Sequence, residues 1–500
     1  MADAIPSVPR ATDRPRPTFP ASRLVAGQVA YRDREATESL ASERVMVRFS
    51  GAGAGVAELS WGQAGLWDAM QRQRTWLPIG GVCPLPPGLT RADLTRQLRS
   101  LMSRYPTLRT RLRLDPDEPR QVVSATGEIA LEIVDAPDDA DPRQVADAVM
   151  CRFERTPYDV VDQWPVRVAV VRHRGAFTHQ VVVMCHLVTD AAGALLLLAD
   201  LKRLAAGPGT GEAEEDGIAH PLAQARWQRS PKGQRMNDAA LRYCRRVLAE
   251  VPARRFPEPG YRPKPRYWRG RFVSAALYQA VRGIAARTRL DTPTVLLAMF
   301  AIAQVRVTGL HPAMAMVLVN NRFRRELAGT VSPVTNAVPY AIDVAGATVD
   351  EVLARARSRA LAAYKHGYFD PLRFNDLVAE VSRQRGEPID TACYINDRRS
   401  RYRDMSGGPL LAPDRLAALR RETSFEWVLR EDEEAYERFF LHFDDVPDVI
   451  SAELLIDSHQ VAPADAEGVL RGMEEVAVSA LADPHAPAWE PAATPPVRAV

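Results

Sequence analysis

The sequence has few cysteines, and none of them is placed as a metal ligand or disulfide partner would be. Its 500 residues include five cysteines, with no CxxC motif and no Cys/His cluster. The sequence therefore predicts neither a disulfide framework nor a zinc site, and scattered thiols in odd number are typical of a reducing compartment. We accordingly expect a cytoplasmic protein that binds no metal ion.

Long apolar runs and an excess of one charge are also missing. The longest apolar stretches, near residues 194–201 and 295–305, are far shorter than the roughly 20 residues of a membrane helix. The N-terminal segment lacks the apolar core of a signal peptide. Lys and Arg total 65 against 62 Asp and Glu, a net charge of +3, and the charges are interspersed. The sequence thus predicts neither a membrane nor a nucleic-acid partner.

What is present indicates a globular protein with two lobes. Hydrophobic residues make up 46% and charged residues 25% of the chain, and the length exceeds that of one ordinary core. Residues 256–270 contain four prolines and form the predicted linker. The predicted order is a flexible N-terminal arm (1–43), an N-terminal lobe (44–255), the Pro-rich linker (256–270), a C-terminal lobe (271–484) and a disordered tail (485–500).

Apolar periodicity predicts alternating strands and helices in both lobes. Runs at 165–172 and 180–188, separated by an Arg-Gly-Ala turn region, predict a β-hairpin. Another strand is predicted at 313–319. The predicted helices include 221–251, 291–308, 349–365 and 463–482.

The stretch 181–198, VVVMCHLVTDAAGALLLL, carries the main candidate site. An apolar strand ends at His186, Asp190 follows, and an apolar helix begins at once. A histidine so placed suits general-base chemistry because its charge changes near neutral pH. The alternative is a histidine that only terminates the strand. Asp190 either pairs with a buried arginine or caps the following helix, and both roles are compatible.

Five segments, taken together, resemble a known family. Residues 185–191, CHLVTDA, resemble its HHxxxDG motif, although a second HxxxD occurs at His366–Asp370 in the same chain. Four further segments occur in the family's order: 59–67 (LSWGQAGLW), 104–111 (RYPTLRTR), 321–327 (NRFRREL) and 331–339 (VSPVTNAVP). The chain resembles the condensation domains of non-ribosomal peptide synthetases, a branch of the chloramphenicol-acetyltransferase-like acyltransferases.

The resemblance implies an α/β fold in which two chloramphenicol-acetyltransferase-like lobes form a V with a central tunnel. It implies a stand-alone acyltransferase of natural-product biosynthesis, which joins a thioester-bound acyl or aminoacyl donor to an amine or alcohol. The partners would be an acyl or peptidyl carrier protein, supplied in trans, and a small-molecule acceptor. We expect no bound cofactor, since the phosphopantetheine arm belongs to the carrier, or to coenzyme A for a free acyltransferase.

The resemblance also assigns roles to individual residues. His186 is the catalytic candidate, and Asp190 is a structural residue whose first-choice partner is Arg322, with Arg109 as the alternative. Two residues of the C-terminal lobe, Asn336 and Ser332, are candidates for lining the tunnel or for hydrogen bonding within loops.

Two positions depart from the family motif. Cys185 replaces the first histidine and Ala191 replaces the glycine, while the nearby Gly193 could restore backbone freedom. A cysteine in an apolar strand favours inert core over a nucleophile. These departures keep two alternatives open: an inactive condensation-like docking or recruitment module, and a coenzyme A-dependent O- or N-acyltransferase.

Overall fold

The computed structural model describes residues 18–19, 42–116, 118–205, 220–399, 413–432 and 437–489. The described residues divide into two compact units. The first unit comprises residues up to Arg235 together with Asn320–Thr335 and Asp370–Leu372. The second comprises Met236–Val319, Asn336–Phe369 and the residues from Arg373 onward. The expected mixed α/β architecture is confirmed.

The first unit carries ten strands and five complete helices within the described residues. The strands are β1 (Thr18–Phe19), β2 (Ser42–Ser50), β3 (Gly55–Glu58), β4 (Pro78–Pro84), β5 (Thr110–Leu114), β6 (Pro119–Val123), β7 (Thr126–Ala136), β8 (Tyr158–Asp159), β9 (Val166–His173) and β10 (Ala176–Cys185). The helices are α1 (Trp61–Gln73), α2 (Arg91–Arg104), α3 (Pro142–Arg155), α4 (Ala191–Ala205) and α5 (Pro221–Arg229). The next helix, α6 (Pro231–Glu250), passes into the second unit.

A five-stranded sheet in the order β2–β7–β9–β10–β4 organises the first unit. Strands β9 and β10 pair in an antiparallel manner and confirm the predicted hairpin. Its turn uses positive φ angles at Arg174 (51°) and Gly175 (79°), as a two-residue hairpin turn requires. The sheet therefore places the C-terminal end of β10, where His186 follows, beside β9 and the edge strand β4.

Both faces of this sheet are covered, which explains why residues 181–185, the second half of β10, are all apolar. Val181 and Val183 belong to one apolar cluster with Val149 of α3. Met184 lies in a second cluster with Leu197 of α4. Alternate side chains thus enter opposite apolar layers, as the period of two in a strand requires.

The second unit contains the remaining strands and helices. Its strands are β11 (Tyr267–Ser274), β12 (Ala313–Val319), β13 (Asn336–Ile342), β14 (Cys393–Asp397), β15 (Ser424–Glu431), β16 (Phe439–Asp444) and β17 (Ile450–Asp457). Its helices are α7 (Ala275–Thr288), α8 (Thr292–Thr308), α9 (Val349–Lys365), α10 (Pro371–Arg385, which begins in the first unit), α11 (Pro413–Glu422) and α12 (Pro463–Ala482).

The seven strands form one sheet in the order β13–β12–β14–β16–β17–β11–β15. Helix α8 is apolar on all sides and buried from Thr292 to Val305, as expected for a helix inside a core. It begins with Asp291 as N-cap and ends at Gly309, which adopts φ 68° and is free of the Cβ penalty there. Local capping and burial together fix this central helix.

The boundary between the units differs from the predicted one. It falls between Arg235 and Met236, inside α6, and this helix runs without a break from Pro231 to Glu250. The Pro-rich segment 256–270 belongs to the second unit, where Phe256 stacks on Phe439 at 5.1 Å. Asn320–Thr335, assigned by sequence to the C-terminal lobe, belongs to the first unit.

The predicted disorder of the two ends is corrected where the structure describes them. Ala488 N donates to Ala347 O at 2.8 Å, and Ala488 O accepts from Arg306 Nε at 2.8 Å, so residues 485–489 are held in place. Residues 490–500 lie outside the described range, as does most of the arm 1–43. Of that arm, Thr18–Phe19 pairs with β8, and residues 42–43 belong to β2.

We find no single helix, among the described residues, that is long and apolar enough to span a membrane. Helices α7 and α8 meet the length and composition criteria only as a pair, and this pair is bent by 112°.

Candidate functional site

His186 begins a short 3₁₀ turn, His186–Val188, directly after β10. Its N–H donates to Leu77 O at 3.0 Å, and Thr107 Oγ1 donates to Val188 O at 2.6 Å. The imidazole is half-buried, and its buried Nδ1 has no hydrogen-bond partner within the described residues. The turn is therefore fixed at both ends, and the Nδ1 of the ring is buried and unpaired among the described residues.

Asp190 collects hydrogen bonds from two parts of the first unit. Its Oδ1 accepts from Gly193 N at 2.8 Å, so Asp190 caps helix α4. Its Oδ2 accepts from Arg322 Nη1 at 3.0 Å, Val334 N at 3.0 Å, Thr335 N at 3.0 Å and Thr335 Oγ1 at 2.8 Å. One carboxylate thus holds the start of α4 and the segment Asn320–Thr335 together.

Arg322 is the ion-pair partner of Asp190. Arg322 Nη2 lies 2.7 Å from Asp190 Oδ1, and the two side chains are 9% and 3% exposed. Burial alone would raise the pKa of Asp190, but the charge and hydrogen bonds of Arg322, with those of the Gly193 and Val334 N–H groups, outweigh it and lower the pKa. Asp190 is therefore ionised at neutral pH and fully engaged by donors.

Arg109, the alternative partner, is placed elsewhere. Its Nη2 donates to Ala52 O at 2.8 Å, and its Nη1 donates to the carbonyls of Gly51 and Ser124. The side chain is fully buried, and this burial lowers its pKa. Arg109 thus ties three backbone carbonyls together instead of pairing with Asp190, and this expectation is corrected.

The segment 59–67 supports the same region through α1. Ser60 and Gln63 form a capping box, and Gln63 Nε2 also donates to Gln121 Oε1 at 3.2 Å. A Cβ at Gly62 would overlap the carbonyl of Pro333. Glycine is therefore required where α1 approaches the backbone of the Asn320–Thr335 segment.

Cys185 is a core residue. Its side chain is fully buried, and its Sγ donates to Trp76 O at 3.4 Å. Burial raises the pKa of the thiol to about 12. Because the thiolate is the nucleophilic form, this environment disfavours nucleophilic chemistry at Cys185.

Ala191 and Gly193 lie on the first turn of α4 but in different surroundings. Ala191 is exposed. Gly193 is buried, and a Cβ there would overlap Val331 O and lie 2.6 Å from Thr189 Oγ1. Gly193 thus permits close packing of α4 against the segment that Asp190 holds.

The two candidate tunnel residues differ in their bonding. Asn336 Nδ2 donates to Phe369 O at 2.9 Å, and its Oδ1 accepts from Ala337 N at 3.0 Å. Ser332 is 1% exposed, and its Oγ has no hydrogen-bond partner among the residues described. Asn336 therefore supports the start of β13, whereas the hydroxyl of Ser332 is unused.

The second HxxxD sits at helix ends. His366 ends α9 and stacks on Tyr243 at 5.0 Å. Asp370 Oδ1 accepts from Leu372 N at 3.0 Å in the first turn of α10. Neither arrangement resembles that of His186 and Asp190.

Sequence reasoning missed four contributors to the site: Leu77, Thr107, Val334 and Thr335. The last three lie inside the segments that carry the family resemblance, so those segments indicated the region but not the role of each residue. Leu77 lies outside these segments and contributes only a backbone carbonyl, which has no signature in a sequence. In the described ranges, no group of three or more His, Cys, Asp and Glu side chains is placed to hold a metal ion.

Comparison with known proteins identifies the family of the chain. The family model of the condensation domain matches residues 54–396, a range that includes the His186 turn, Asp190 and Arg322. The chain belongs to the condensation domain family, as its motifs predicted.

A curated relative shows how the chain relates to larger proteins. The beauvericin nonribosomal cyclodepsipeptide synthetase BEA1 of Gibberella fujikuroi is 26% identical over 327 residues, which cover 62% of this chain and 10% of that protein. The chain therefore spans about a tenth of the length of this relative.

Two solved structures share the fold. The SgcC5 protein of Streptomyces globisporus matches with a TM-score of 0.64 and 19% identity, covering 86% of this chain and 100% of that one. The X-domain from teicoplanin biosynthesis matches with a TM-score of 0.65 and 18% identity, covering 88% of this chain and 98% of that one. At these identities the similarity concerns the fold alone.

Proposed function

We propose that this protein is a condensation-type acyltransferase that uses His186 to join a thioester-bound acyl group to an amine or hydroxyl acceptor. The observation that carries the proposal is the anchored His186 turn. Leu77 and Thr107 hold its backbone, Asp190 holds the helix that follows, and the buried Nδ1 of the ring is left without a partner in the described structure. A family match over 54–396 supports the same reaction class.

In the proposed reaction, the acceptor nitrogen or oxygen attacks the carbonyl carbon of the thioester. A new C–N or C–O bond forms, the C–S bond breaks, and the proton of the acceptor moves through the imidazole of His186 to the leaving thiolate. Positioning and general-base assistance of this kind contribute about 10²- to 10⁴-fold to a rate. Asp190 takes no proton in this scheme because its carboxylate is occupied by Arg322 and backbone donors.

The donor in this proposal carries its acyl group on a phosphopantetheine thiol. A carrier protein is the first candidate, since the curated relative is a nonribosomal synthetase. Acyl-coenzyme A presents the same thioester and is the second. The amine or alcohol acceptor would be a free small molecule.

The test is product formation from a panel of donors. The full chain is incubated with acyl-loaded carrier proteins or acyl-coenzyme A thioesters and with mixed amine and alcohol acceptors, and amides and esters are detected by mass spectrometry. We expect product with the wild type and with His173→Ala, a control histidine at the far end of β9. We expect at least a 100-fold loss with His186→Ala. Equal rates for the two variants would reject the role of His186.

A recruitment module is the second candidate, and the departures at Cys185 and Ala191 favour it. The X-domain, which shares this fold, has been solved in complex with OxyB. The wild type is compared with the double variant Cys185→His, Ala191→Gly. If only the double variant forms product, the two departures from the motif have abolished acyl transfer in this chain. That result would favour a role in recruiting a partner protein. Product formation by the wild type would instead favour acyl transfer over recruitment.

A further inference from the structure

Arg255, in the second unit, is a buried cation whose donors are not all satisfied. It is 2% exposed, and its Nε and Nη2 are buried with no hydrogen-bond partner in the described structure. Burial lowers the pKa of Arg255 to about 10, which still leaves the guanidinium charged at neutral pH. Buried polar groups are normally hydrogen-bonded, and an uncompensated buried charge is costly. The two N–H groups therefore require an acceptor that carries negative charge.

The backbone of Arg255 is packed against the core of the second unit. Gln304 of α8 is 2% exposed, and its Nε2 donates to Arg255 O at 3.5 Å. The next residue, Phe256, stacks on Phe439 of β16 at 5.1 Å. The burial of Arg255 thus follows from its place between α8 and the sheet.

The charged side chains around Arg255 are paired with other groups. Asp390 is the carboxylate that acts on the charge of Arg255, but its Oδ2 lies 3.2 Å from Arg438 Nη1 and its Oδ1 accepts from a backbone N–H at 2.9 Å. Arg385, whose charge also acts on Arg255, has its Nη2 2.7 Å from Glu387 Oε1. Each of these pairs is neutral, so Arg255 leaves one positive charge in excess.

Two other arginines of the same unit show what the Nε and Nη2 edge of a guanidinium binds. Arg399 Nε and Nη2 each donate at 2.8 Å to the two oxygens of Asp397. Arg266 Nε and Nη2 donate at 2.8 Å and 2.6 Å to the two oxygens of Asp457. This edge matches a planar carboxylate through two parallel hydrogen bonds. In Arg255 the same two nitrogens are the ones that lack a partner.

We propose that the Nε and Nη2 edge of Arg255 binds a small planar oxyanion of the carboxylate type, which supplies the missing negative charge. The burial of Arg255 restricts the ligand to an anion with few atoms, such as formate or acetate. The site goes beyond the proposed acyl transfer and uses none of the residues around His186. Its failure would leave that proposal intact, and the converse holds.

The experiment is a titration of the full chain with ¹³C-labelled formate, followed by the transverse relaxation rate of the formate resonance. Gluconate, a carboxylate too large for this position, replaces chloride in the buffer and keeps the ionic strength constant. We expect a saturable increase in the relaxation rate with a midpoint in roughly the millimolar range, as is usual for a ligand of so few atoms. Unlabelled acetate should displace formate, whereas extra gluconate should not.

Variants then assign the binding to Arg255. Arg255→Met removes the charge and both N–H groups, so the saturable effect should disappear. Arg255→Lys keeps the charge without the paired donors, and about 10-fold weaker binding is expected, as for one lost charge-assisted hydrogen bond. The control is Arg254→Met, because the neighbouring Arg254 side chain is 61% exposed and pairs with Glu258 at the surface; this variant should bind formate like the wild type.

The competition between formate and acetate uses the unaltered protein and therefore does not depend on how well a variant folds. If water alone satisfies the two N–H groups, the wild type shows no saturable effect up to about 100 mM formate, and the proposal is overturned. Displacement by gluconate as effective as that by acetate, or equal formate binding by wild type and Arg255→Met, would overturn it as well.

Discussion

Replacing Asp190 by asparagine preserves its shape but removes its charge. Asp190 and Arg322 are 3% and 9% exposed, and Asp190 Oδ2 alone accepts four hydrogen bonds. The variant leaves a buried guanidinium without its counter-charge and places an amide N–H₂ against backbone donors. Breaking a buried ion pair by removing one partner costs about 3–5 kcal/mol, and we expect a cost in that range here.

Hydrogen exchange measures this cost locally, which matters because a chain of two units need not unfold in one step. The amides of Val334 and Thr335 donate directly to Asp190. A loss of 3 kcal/mol corresponds to roughly 100-fold faster exchange of these amides. Amides in β14 of the second unit serve as the internal control and should exchange unchanged.

The double variant Asp190→Asn, Arg322→Met and the two single variants form a double-mutant cycle, which measures the coupling between the two side chains. Removing the unpaired cation should recover part of the loss, giving a coupling of about 0.5–3 kcal/mol. If Asp190→Asn costs less than about 1 kcal/mol, or if the two substitutions are additive, the reasoning that this pair holds the segment is refuted.

Further predictions concern the same region. Gly193→Ala should destabilise the first unit by about 1–3 kcal/mol in urea unfolding, because its Cβ overlaps the carbonyl of Val331; an unchanged midpoint would contradict this packing. Thr107→Val should cost about 1 kcal/mol through the hydroxyl bond it removes, and an equal stability would show that this bond contributes nothing. The folded pKa of Asp190 is lowered, so its stabilisation is present above the unfolded carboxyl pKa of about 3.9 and lost as pH falls below it. The free-energy gap between wild type and Asp190→Asn should therefore narrow below about pH 4. Iodoacetamide should leave Cys185 unmodified in the folded protein, since its thiol is fully buried with its pKa raised to about 12. Rapid labelling of Cys185 in the native protein would contradict this placement of the thiol in the core.

Local signals predicted the regular elements well. The pattern over 313–319 coincides with β12, and those over 349–365 and 463–482 coincide with α9 and α12. In each helix the apolar positions recur with helical spacing, and α9 begins with a complete capping box at Thr348. These elements are determined by residues within the element itself.

Elements that depend on distant partners escaped prediction. Strand β4 (Pro78–Pro84) contains two glycines and a proline at each end, yet it forms an edge by pairing with β10. The predicted continuous helix 221–251 is divided into α5 and α6 at Ser230 and Pro231, where proline favours the first turn of a new helix. Pairing with β10 thus decides β4, whereas the break between α5 and α6 follows from a local proline signal that the prediction of one helix overlooked.

The candidate site was predictable in part. The cap that Asp190 provides to α4 is a local feature, and a carboxylate just before an apolar helix signals it. Its ion pair joins residues 132 positions apart, and only the family resemblance gave Arg322 precedence over Arg109. The hydrogen bonds from Val334 and Thr335 use backbone N–H groups, which carry no signature in a sequence.

The most direct test of the account is the rate of acyl transfer by wild type and His186→Ala, measured side by side with one competent thioester donor and one acceptor. We expect product with the wild type and a rate at least 100-fold lower for the variant. Equal rates would contradict the assignment of His186 as the catalytic residue.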